Sequence, residues 1–240
     1  LYRALFGKEL GRFTASPNYM LNCGLGTVLM PILAIVVLVK GRSLLQNILQ
    51  FLEGEQMGGI IVIIAVAAVC LLASMNDMVV PSVSLEGKNL WILQSLPVKP
   101  WTVLRAKLSM QLLLTGIPVF LCEVCIVVCV RADVVQSLFI LILPLIFTVM
   151  LTVFGLFLGI NMPNLTWTNE LAPIKQSLSV VISMFGGWAV AVGMVGLYFA
   201  CGKKLGEIGY LSLVTLVFVL ISAGLYLWLK RKGAEKFIGL

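Results

Sequence analysis

Apolar residues in this chain come in six runs, at 19–39, 58–75, 108–130, 134–160, 178–201 and 210–229, and the stretches between them hold most of the charge. A bilayer's hydrocarbon core is about 30 Å thick and an α-helix rises about 1.5 Å per residue, so about 20 apolar residues cross it. Within lipid the backbone must satisfy its own hydrogen bonds, and the runs lack the two-residue alternation of barrel strands. The pattern predicts an all-α integral membrane protein with six transmembrane helices.

Weaker periodicities fill the gaps. In residues 1–18, Tyr2, Leu5, Phe6, Leu10 and Phe13 share one arc of a helical wheel, opposite Arg3, Lys8 and Arg12. That arrangement predicts an amphipathic helix in the headgroup layer, with Ser16 and Pro17 turning the chain into the bilayer. Leu44, Leu45, Ile48, Leu49 and Leu52 recur at helical spacing and predict a short interfacial helix on the opposite side. Between the second and third runs, residues 85–96 have helical character until Pro97 and Pro100 break it, giving a helix-break-helix beneath the membrane.

The chain is 60% hydrophobic, 11% charged and has a mean hydropathy of +1.09, which fits one membrane domain at 19–240. It opens at Leu1 with no signal-peptide pattern, so the expectation is a fragment lacking upstream residues. Its net charge of +7 does not imply nucleic acid, because the cations fall between spans and form no soluble patch. Arg3, Lys8, Arg12, Lys88, Lys99, Arg105, Lys107, Lys175, Lys230, Arg231, Lys232 and Lys236 fall on one side, and Lys40, Arg42, Arg131, Lys203 and Lys204 on the other. Cytoplasmic loops carry the excess of Lys and Arg, so both termini and the loops at 76–107 and 161–177 are expected inside.

Six cysteines invite a metal reading, yet Cys23, Cys70, Cys122, Cys125 and Cys129 fall inside runs, Cys201 lies at the edge of one, and the chain has no histidine. They read as small buried hydrophobes, and no metal site is expected. Pro31, Pro118 and Pro144 are expected to kink their helices. Gly155 with Gly159, and Gly186, Gly187, Gly193 and Gly196, are expected to let helices approach closely. Glu123 stands near the middle of the third run, where a carboxylate must face protein or water or else hold a proton.

Two strings carry more than topology. The first reads Ser84-Leu85-Glu86-Gly87-Lys88-Asn89-Leu90-Trp91 and ends Leu96-Pro97-Val98. The second reads Pro163-Asn164-Leu165-Thr166-Trp167-Thr168-Asn169-Glu170, followed by Ile174-Lys175-Gln176. Together with Ser16-Pro17-Asn18-Tyr19, they resemble bacterial type-two ABC exporter permeases over nearly the whole chain. The resemblance implies a six-helix permease domain in the bacterial plasma membrane. It also implies a coupling helix around Glu86, Gly87, Lys88, Asn89, Trp91, Leu96 and Pro97 that meets a separate ATPase subunit, and a second cytoplasmic loop bearing Trp167, Asn169, Glu170 and Lys175. A second permease copy or a fused half would complete the transporter.

The chain itself has no G-x-x-x-x-G-K-[ST] phosphate loop, so it is expected to bind no cofactor directly and to use ATP only through its partner. The alternative is a proton-coupled secondary transporter or channel using Glu123, aided by Asp77. A membrane enzyme ranks last, because no nucleophile-base arrangement is visible.

Overall fold

The computed structural model describes residues 1–51, 58–130 and 132–240. Twelve α-helices are seen there: α1 (Tyr2–Ala15), α2 (Pro17–Cys23), α3 (Leu25–Phe51), α4 (Gly58–Ala73), α5 (Leu90–Ser95), α6 (Pro100–Val130), α7 (Val134–Asn161), α8 (Leu171–Lys175), α9 (Leu178–Leu197), α10 (Lys203–Leu205), α11 (Glu207–Trp228) and α12 (Ala234–Ile238). A 3-10 turn at Ser84–Asn89 precedes α5, and π-turns at Tyr198–Gly202 and Leu229–Gly233 extend α9 and α11. No strand occurs among the described residues.

The helices with α6, α7, α9 and α11 at their core are each long and apolar enough to cross a bilayer, which points to a multi-pass membrane protein. The first expected span is a bent pair, α2 with the first part of α3, broken by 55°. The second is short: the 16 residues of α4 rise about 24 Å, less than a hydrocarbon core. Four of the six expected spans therefore meet the length alone, and a fifth does so if the bent pair counts as one.

Local chemistry explains the main boundaries. Ser16 Oγ accepts the Tyr19 N–H at 3.2 Å and Pro17 occupies the first turn of α2, as an N-terminus prefers. Asp133 and Gln136 form a capping box at the start of α7. The sharp bend falls at Gly24, whereas Pro31, Pro118 and Pro144 lie inside α3, α6 and α7. The stretch expected to form an outer interfacial helix continues the α3 backbone to Phe51, but Leu52 and the side chains of Leu44, Leu45, Ile48 and Leu49 lie outside the described residues. Arg131, used in the charge asymmetry, does as well.

Packed between its neighbours, α4 touches α3, α6, α7, α9 and α11 and buries Val62, Ile63, Val66, Val69 and Cys70. After Ala73 the chain neither turns back as a helix nor reaches the surface. Residues 76–87 are all buried. Irregular backbone at such a place must have its polar groups satisfied by protein. Gln111 does much of this, accepting the Val79 N–H at 2.7 Å and donating to the Asn76 carbonyl at 2.8 Å. The Tyr19 hydroxyl donates to the Met78 carbonyl, and Lys107 Nζ donates to that of Ser82 at 2.9 Å.

Gly155 and Gly159 make room for this segment. A Cβ on Gly155 would lie 2.8 Å from Val80 Cγ2, and one on Gly159 would collide with the Val80 carbonyl. The small-residue pair of α7 thus admits a buried loop, where the sequence suggested a neighbouring helix. Gly187 similarly admits Ser74, whereas Gly193 and Gly196 face open space.

Candidate functional site

One end of the bundle gathers α1, the segment around Ser84–Asn89, α5, the start of α6, the end of α7, α8 and α12. Gln94 Nε2 donates to the Phe237 carbonyl at 2.9 Å, and Lys236 Nζ to Asn161 Oδ1 at 2.8 Å, so loops and C-terminus are laced together. The two sequence strings that stood out lie here, in contact with each other.

At the centre is a buried ion network. Glu86 accepts Lys8 Nζ on both carboxylate oxygens at 2.9 Å, Arg12 at 2.6 Å and Lys107 Nζ at 2.9 Å. Lys107 also holds Glu9 at 2.7 Å. The Lys107 side chain is 0% exposed and that of Glu86 2%. Burial alone would push the Glu86 carboxyl up, but Lys107, Arg12 and Lys8 outweigh it and hold the group well below the usual carboxylate range. Three cations face two carboxylates, so the network keeps one net positive charge.

This changes the reading of α1. Its inward face is Leu5, Glu9 and Phe13, spaced four apart, and Lys8 and Arg12 reach across to Glu86 while Arg3 remains exposed. Tyr2 adds a hydroxyl bond to Ser109 at 2.6 Å. The helix is fastened to α6 and to the loop.

Gly87 joins the two strings. Its φ of +52° suits only glycine, and a Cβ there would stand 3.2 Å from Trp167 Nε1. The Trp167 indole lies across that glycine and donates to the Ser84 carbonyl at 2.6 Å. The Asn164 N–H donates to Ser84 Oγ at 3.0 Å.

Beyond Gly87 the chain surfaces. Lys88, Asn89, Trp91, Ile92, Ser95 and Pro97 are exposed, Leu96 is half-buried, and Leu90 and Leu93 anchor α5 from beneath. Trp91 is 63% exposed, unusual for so large an apolar ring. In the second loop, Asn169 and Lys175 are exposed and Glu170 is half-buried; Asn169 Oδ1 accepts the Leu171 N–H at 3.0 Å. The residues singled out around Glu86 thus divide into a buried tether, Glu86 and Gly87, and an exposed face, Lys88, Asn89, Trp91 and Pro97.

Glu123 is apart from this end. It is 0% exposed, and neither carboxylate oxygen has a hydrogen-bond partner in the protein. No cluster of three or more His, Cys, Asp or Glu that could hold a metal occurs among the described residues.

Sequence reasoning counted Lys107 only as a topological charge and passed over Glu9 and Gln111. The available signal was their chemistry: Lys107 and Gln111 stand one turn apart at the apolar start of α6, on one face, where only buried partners would justify them. Neither the scan of protein-family models nor the searches of curated proteins and solved structures gave a match.

Proposed function

We propose that the chain is the membrane-spanning subunit of an ATP-binding-cassette exporter, moving a substrate across the bacterial plasma membrane with ATP hydrolysed by a separate ATPase subunit. The observation that carries this reading is the exposed Trp91 and Ile92 face of α5, a short helix pinned from behind by Leu90, Leu93 and the Glu86 network. A face that is apolar, exposed and rigidly backed suits a partner protein better than water. In this reading both termini are cytoplasmic, the bent α2–α3 pair and short α4 count among six crossings, and a second permease copy or a fused half completes the pore.

A push from the ATPase on α5 would travel two ways. Glu86 passes it to α1 and, through Lys107, to α6, while Gly87 and Trp167 pass it to the end of α7. Movement requires contacts that differ between two states, and a partner closing on ATP supplies that difference. The intact complex, purified from its native membrane, is expected to bring down an ATPase whose export-linked hydrolysis falls when Trp91 and Ile92 are both changed to Ala. Full ATP-dependent export by that variant would count against the reading.

One observation favours a second reading, proton-coupled transport through Glu123: a fully buried, unpartnered carboxyl within a span is costly to keep without a use. Transport that survives loss of the ATPase but fails with Glu123→Gln would favour it.

A further inference from the structure

The bend between α2 and α3, the end of α4 and the first half of α9 meet around Asp77. Its backbone N–H donates to the Cys23 carbonyl at 3.0 Å, at the last residue before the 55° break. Its Oδ1 accepts the Ser183 hydroxyl of α9 at 2.7 Å, while Oδ2 is buried with no hydrogen-bond partner. Asp77 is 4% exposed. The adjacent Asn76 ties the same junction to α3, accepting the Thr27 N–H at 3.0 Å.

What surrounds Asp77 is neutral. Cys23 is the titratable group facing it from α2, while α3 offers Thr27, α6 Gln111 and α9 Ser183. Among the described residues no Lys or Arg pairs with it, and the Lys107 ammonium is committed to Glu9, Glu86 and the Ser82 carbonyl. A buried carboxylate with one oxygen unpartnered by protein and no cation beside it is unstable; adding a proton at Oδ2 removes the charge.

We propose that Asp77 is a proton-binding site, loaded while segment 76–83 is packed against α9 and released to water when that packing opens. Release breaks the Oδ2–H bond and sends the proton to solvent, leaving a carboxylate that water solvates once Asp77 has parted from the Ser183 hydroxyl. Burial pushes the Asp77 carboxyl up to about 7, against the downward pull of the Ser183 hydroxyl. The packed arrangement holds its proton to a higher pH than the open one. It therefore loses stability as pH rises from the ordinary aspartate range to about 7, and no further above that. The inference does not depend on the exporter reading.

Asp77 and Asp133 are the only aspartates in the sequence, which makes a direct test possible. The full chain would be labelled with carboxyl-13C aspartate and its carboxyl resonances followed by NMR from pH 4 to 9. Asp133, exposed at the start of α7, would be replaced in Asp133→Asn so that the remaining signal is Asp77. The expected result is a titration with a midpoint near 7, moved upward by about half to one pH unit in Ser183→Ala, where a hydrogen bond to the charged form is lost. A signal that titrates in the ordinary aspartate range, or a midpoint that Ser183→Ala leaves fixed or lowers, overturns the proposal.

Discussion

Changing Glu86 to Gln tests whether the buried network fastens α1 and the loop to the bundle. The substitution keeps the shape but removes the charge that three cations share at 2.6–2.9 Å. The network then holds Lys8, Arg12 and Lys107 against Glu9 alone, and its net charge rises from +1 to +2. Breaking a buried ion pair costs about 3–5 kcal/mol. Lys8, 37% exposed, can turn to water whereas Lys107 cannot, so a value near the lower end, about 3 kcal/mol, is expected.

Reversible unfolding in mixed micelles, followed by the helical circular dichroism signal, measures this loss. Adding Lys107→Met to Glu86→Gln returns the net charge to +1 and should recover much of the stability, giving a coupling of about 1–3 kcal/mol. The pH dependence has a defined sign. A carboxyl held below its ordinary range adds stability that is complete above that range and disappears as pH falls through it toward the depressed value. A loss under about 1 kcal/mol in Glu86→Gln, typical of exposed pairs, would refute the reasoning.

Gly87→Ala should destabilise by about 1–3 kcal/mol through backbone strain alone, with an added displacement of Trp167 visible as a shift in its emission. Trp167→Phe removes the donor to the Ser84 carbonyl and should cost about 1 kcal/mol in the same unfolding assay. Trp91→Ala should change stability by no more than about 0.5 kcal/mol, since the ring is exposed, so any loss of coupled ATP hydrolysis would report contact with a partner. Gly159→Ala should be worse than Gly193→Ala by about 1–3 kcal/mol, because only the former meets the Val80 carbonyl.

The long helices were legible because burial in lipid leaves a signal in every residue: α6, α7, α9 and α11 each correspond to one apolar run. The first two runs misled in geometry because hydropathy cannot see tertiary contacts. Nothing in an apolar count distinguishes a straight span from α2 and α3 broken at Gly24, where Asp77 and Asn76 tie the two pieces to the end of α4. The amphipathic wheel of α1 gave the helix but not its inward charges, since pairing Lys8 and Arg12 with Glu86 depends on residues more than 70 positions away. The strings at 84–91 and 163–170 stood out separately in sequence. That Trp167 covers Gly87 became visible only in three dimensions, because φ at a glycine is not written in its neighbours.

The reading of α5 as the surface gripped by a motor is tested most directly at position 91. A photoreactive amino acid placed there, activated in native membranes of cells carrying the intact system, is expected to form an adduct with a nucleotide-binding ATPase, and the yield should change with ATP and vanish when that ATPase is absent. Adducts with lipid alone, or capture of a membrane-impermeant probe added outside intact cells, would contradict the account.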